Sequence, residues 1–83
     1  MRKEDLNTQV IFDLVYTYSD DEEPSEDYIK DDLRKLSARV PKADIDLYTR
    51  IVVNAVKAQC RDGQHYSFDE CIEYAIDKEF GTN

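Results

Sequence analysis

Pro24, Pro41, Gly63 and Gly81 are the only prolines and glycines in this chain of 83 residues, and they punctuate it into four segments. Proline lacks an N–H and bars the residue before it from helical angles, while glycine accepts the left-handed conformation that commonly ends a helix. Between these breaks apolar side chains recur every three or four positions, the spacing of one face of an α-helix. The division predicts an all-α domain.

In residues 4–18, Leu6, Val10, Leu14 and Tyr18 repeat every four positions, with Ile11 and Val15 beside them on the helical wheel. The β-branched and aromatic content of this segment leaves a strand as its alternative. Pro24 followed by Ser25 reads as a stop and then an N-cap, which opens a second helix over residues 26–39. Its apolar positions, Ile29, Leu33, Leu36 and Val40, form a narrow stripe and assign it to the outside of the bundle. The third helix, residues 43–61, carries Ile45, Tyr48, Ile51, Val52, Ala55, Val56 and Cys60 over most of its circumference, leaving a polar strip of Arg50, Asn54, Lys57 and Arg61. It is expected to be the central element. Ser67 and Glu70 have capping-box spacing, with Tyr66 and Cys71 placed as a hydrophobic staple, and open a fourth helix over residues 68–80 that Gly81 ends. Short connections favour antiparallel neighbours. The expected architecture is a small antiparallel four-helix bundle forming one domain over residues 1–83; the alternative is a three-helix core with the first segment as an arm.

A chain of this length holds one core of marginal size. Hydrophobic residues make up 41% of it, enough for packing, and their regular spacing separates it from disordered chains of similar charge. Basic residues at the N-terminus are not followed by the apolar run of a secretory signal, because Asp13 interrupts it. No stretch approaches the length needed to span a bilayer. With a net charge of −8 the chain repels anionic lipid and nucleic-acid phosphate, so neither a membrane nor direct nucleic-acid binding is expected. Two cysteines without an export signal point to reduced thiols and the cytoplasm.

Catalytic and cofactor chemistry finds little support in the residues. The spacing of Asp20, Glu22 and Asp31 only loosely follows a calcium loop, since Pro24 occupies a ligand position, Ser25 stands where glycine is needed, and Asp31 replaces the bidentate glutamate. Cys60, His65 and Cys71 flank one turn, yet both cysteines lie on apolar stripes, where a thiol behaves as a small hydrophobe. His65 is the only histidine, and its neighbour Ser67 is already assigned as a cap. No glycine-rich phosphate loop exists. The reading is a non-enzymatic protein with no cofactor and no metal.

What does stand out is SDDEEPSEDYIKDD, residues 19–32, where eight acidic side chains and one lysine give a charge of −7. As a binding surface, Asp20, Asp21, Glu22, Glu23, Glu26, Asp27, Asp31 and Asp32 would steer a basic protein partner, with Tyr18 and Tyr28 supplying contact area. The expected partner is a nucleic-acid-handling protein that this module inhibits or regulates. In the extreme form, the acids imitate a phosphate row, as in a DNA mimic carried by a phage or other mobile element. The bland alternative is a solvated loop that confers solubility on a self-associating subunit, a homodimer through Phe12 and Tyr16, which lie off the Leu6 stripe.

The order LVYT at 14–17, SED at 25–27 and DLY at 46–48 resembles that of the nuclease immunity proteins of bacteriocin systems, small acidic helical bundles that hold basic toxins through carboxylates and tyrosines. The resemblance implies a helical bundle with a basic partner. It departs at the third helix, which in that family is very short before its tyrosine pair, whereas DLYTRIVVNAVKAQC continues for several turns. No site residue is carried over.

Overall fold

The structure, a computed structural model, describes residues 3–19, 24–60 and 67–81, apart from the side chain of Cys60. Among these residues lie four α-helices, α1 (Thr8–Thr17), α2 (Glu26–Lys35), α3 (Ile45–Cys60) and α4 (Phe68–Phe80), with 3-10 turns at Lys3–Asp5 and Lys42–Asp44 and no strand. The four-helix bundle is therefore the fold that forms. The arm and strand alternatives for the first segment both fall, because α1 is helical and buries Val10, Ile11, Leu14 and Val15 in the common core.

The first segment is nevertheless shorter than its periodicity implied. Asn7 interrupts it: its side chain accepts the Val10 N–H at 3.4 Å, an N-cap that starts α1 at Thr8 and leaves Leu6 in the preceding link. The Asn7 N–H in turn donates to the Tyr48 hydroxyl at 2.8 Å. Tyr48 is 1% exposed and belongs to the first turn of α3, so the entry to α1 is fastened to the entry to α3.

α2 ends at Lys35 and not at residue 39 as the sequence suggested; Leu36 caps it, and the Arg39 and Val40 N–H groups both fold back onto the Leu36 carbonyl. Unwinding keeps Val40 beside Leu33 and Ile45, where it is 1% exposed. Pro41, which excludes Val40 from helical angles, then leads through the 3-10 turn directly into α3.

α3 packs against each of the other three helices, as its apolar circumference required. It supplies Ile45, Tyr48, Ile51, Val52, Ala55 and Val56 to a core completed by Ile29, Leu33 and Val40 from the α2 side and Ile72, Ala75 and Ile76 from α4. Each of the Ile, Leu and Val side chains among them gains about 1.5–3 kcal/mol from leaving water. α4 begins with the complete Ser67–Glu70 capping box and ends at Gly81, whose φ of 65° is the left-handed conformation glycine accepts without strain. The Tyr66 half of the staple and Gly63 lie outside the described residues.

Contacts at the surface mark the helix directions. Lys3 pairs with Asp77 at 2.6 Å near the end of α4, while Phe12 meets Phe68 at its start, so α1 and α4 run antiparallel. The second turn of α3 is joined to the last turn of α4 by Arg50 and Glu79 at 2.7 Å. Asp77 raises the Lys3 pKa above its ordinary 10.5, first by hydrogen bonding and then by charge. The folded value being the raised one, the Lys3 side of this tie is at full strength below pH 10.5 as long as Asp77 is ionised, and is lost as the pH climbs through the raised value.

Two substitutions test this construction. Tyr48→Phe leaves the half-buried Asn7 N–H without its acceptor and should lower stability by about 1–2 kcal/mol in urea unfolding with helix content unchanged. Ser67→Ala should cost about 1 kcal/mol, confined to the α4 cap.

Candidate functional site

Of the acidic segment, the described part is α2 and its cap. Ser25 accepts the Tyr28 N–H at 3.5 Å, which sets Glu26 and Asp27 in the first turn, where the helix dipole favours anions. Both side chains are exposed, and among the described residues no cation comes within ion-pair distance of either. Tyr28, next in the chain, is 68% exposed. These three groups are displayed together at one end of α2. Asp20, Asp21, Glu22 and Glu23 lie outside the described residues.

The rest of the proposed surface is partly used by the fold itself. The Tyr18 hydroxyl donates to Asp32 at 2.6 Å, a part-buried bond that ties the end of α1 to the middle of α2. Tyr18 packs half-buried against the core, so its hydroxyl and the Asp32 carboxylate are engaged with each other. Asp31 is bridged by Arg34 at 2.9 Å, one turn along the helix. With both side chains more than half exposed the pair adds at most ~1 kcal/mol, but it offsets the Asp31 charge locally. Lys30 reaches Asp46 on α3 at 3.6 Å.

Charge reverses abruptly beyond Asp32. LRKLSARVPK, residues 33–42, holds four cations and no acid, in a chain of net charge −8. Arg34, Lys35, Arg39 and Lys42 are all exposed, and among the described residues only Arg34 has a carboxylate within reach. This basic turn follows directly on the acidic run and is legible in the charge pattern of the chain.

Phe12 and Tyr16 do not stand as an isolated pair. Both lean on Phe68 of α4, the rings of Phe12 and Phe68 tilted at 5.6 Å and those of Tyr16 and Phe68 edge to face at 6.3 Å. Phe12 is thereby half-buried against the core, whereas Tyr16 keeps 76% of its surface in solvent. Phe68 was not foreseen as their partner, since it lies on a distant segment.

Among the described residues no three His, Cys, Asp or Glu side chains gather as a metal site. Cys71 is buried on the core side of α4, as its place on an apolar stripe implied. His65 and the Cys60 side chain lie outside the described residues. No helix among the described residues is long and apolar enough to cross a membrane. No protein-family model, curated protein or solved structure matches the chain. The 16 residues of α3 keep the departure from the immunity-protein pattern in place.

Because the Tyr18–Asp32 bond is a fold contact, Tyr18→Phe should lower stability by about 1 kcal/mol in chemical unfolding. Tyr28→Ser, on an exposed ring, should stay within about 0.5 kcal/mol of the parent.

Proposed function

We propose that this protein is a non-enzymatic binding module that docks a basic, nucleic-acid-handling partner protein through the acidic end of α2. The observation that carries the reading is the exposure of Tyr28 beside Glu26 and Asp27, two carboxylates without a neighbouring cation among the described residues. An aromatic ring amid charge combines contact area with steering, the pairing that binding hot spots favour. Asp20 to Glu23, adjacent in sequence, would extend the same negative field. Asp31 is engaged by Arg34, and Asp32 by Tyr18, so these three contribute less to the field than Glu26 and Asp27. Inhibition or regulation of the partner follows if the docked face covers the partner's own phosphate-binding surface.

Self-association is the second reading, favoured by the exposure of Tyr16 on the edge of the Phe12–Phe68 cluster. Sedimentation at several concentrations separates the two, because docking of a foreign partner does not require a dimer of this chain.

The test is capture of the partner from the native host, followed by association kinetics at about 50 and 200 mM salt. The triple variant Glu26→Gln, Asp27→Asn, Tyr28→Ser should keep the fold, slow association and flatten the salt dependence. An unchanged on-rate discards the proposal.

A further inference from the structure

The basic turn after α2 borders an apolar groove of about 230 Å³. Leu33, Val40 and Ile45 form its floor, Ser37 one wall, and Arg34 and Lys42 stand on its rim. Arg39 is exposed in the same turn and Lys35 in the last turn of α2. The groove lies where α2 ends: Val40 lines it beside Leu33, and Lys42 opens the 3-10 turn that leads into α3.

Size and lining restrict what it receives. Its volume lies below the roughly 300–1,000 Å³ of ordinary small-molecule sites, which leaves room for an anchoring side chain and not for a cofactor. The floor is hydrocarbon, which suits an apolar side chain and offers a phosphate backbone nothing. The rim is cationic. Acids do lie nearby: Asp31 is held by Arg34, Asp46 by Lys30, and Asp44 sits in the 3-10 turn. They leave Lys35, Arg39 and Lys42 without a carboxylate within 4 Å among the described residues.

From this juxtaposition we infer that the corner between α2 and α3 is a second docking surface, opposite in sign to the first, which takes a peptide segment of a partner protein carrying an apolar side chain flanked by carboxylates. The net charge of −8 does not forbid it. Seven residues separate Asp27 from Arg34, a rise of about 10 Å along α2, so Glu26 and Asp27 lie just over a Debye length of about 8 Å from the rim at physiological salt. At contact range the rim's own cations govern.

The probe is a short synthetic peptide with one leucine between glutamates, titrated at 0.15 M salt into isotope-labelled full-length protein while backbone amide shifts are followed. Saturable shifts are expected at Leu33, Ser37, Val40, Lys42 and Ile45. A peptide with lysines for the glutamates, or serine for the leucine, should bind at least ~10-fold more weakly. Arg39→Glu with Lys42→Glu should weaken the leucine peptide by a similar factor; both positions are exposed, and the unperturbed remainder of the amide spectrum verifies the fold. Absent or non-saturable shifts, shifts centred elsewhere, or equal binding of the lysine peptide would overturn the inference. So would tighter binding of a single-stranded oligonucleotide of matched charge, which would reassign the corner to phosphate, or loss of the shifts on dilution of the protein alone, which would reassign it to a second copy.

Discussion

Helices of ten residues do not hold their shape alone in water, and α1 and α2 are each that length. They persist because α3 offers apolar side chains around most of its circumference, so that every other helix buries its stripe against the same element. That one constraint explains several features at once. α1 must start where it meets α3, and the hydroxyl of Tyr48, inside the shared core, receives the N–H of the capping residue. α2 must stop before its periodicity runs out, since the link to α3 is short and Val40 has to return to the core. α4 lies along α3 and α1 together and is pinned at its far end by Lys3 and Arg50.

The same economy acts on charge. A surface this acidic would repel itself, and the fold limits the cost by engaging some carboxylates internally: Asp32 with Tyr18, Asp31 with Arg34, Asp46 with Lys30, Asp77 with Lys3 and Glu79 with Arg50. Most of these pairs are exposed and each adds little stability. Their larger effect is on pattern. Within the α2 segment they separate Asp31 and Asp32, which the bundle engages, from Glu26 and Asp27, displayed at its start, and the next turn of the chain is positive. α2 thus carries opposite potentials at its two ends, in the sense that also complements its dipole.

Local signals in the chain were largely legible. Pro24 with Ser25, Ser67 with Glu70, and Gly81 each marked a helix terminus where one was found, because capping is settled within four or five residues. Asn7 was readable on the same grounds and was passed over, since the four-residue repeat of Leu6, Val10, Leu14 and Tyr18 masked it. Leu6 keeps its place in the core from outside the helix. Periodicity therefore named the buried residues correctly while misplacing the start of α1.

By itself the sequence determined the number of helices, most of their ends, the dominance of α3 and the sign of the charge along the chain. These follow from backbone hydrogen bonding and side-chain spacing, which act over a turn or two. Only the tertiary structure decided which charged and aromatic groups are available. Tyr18 and Asp32 are 14 residues apart, Asn7 and Tyr48 are 41 apart, and Phe12 and Tyr16 find Phe68 on the last helix. Such pairings depend on how the helices are set against one another, a geometry that the packing of the whole core selects and that no single segment encodes.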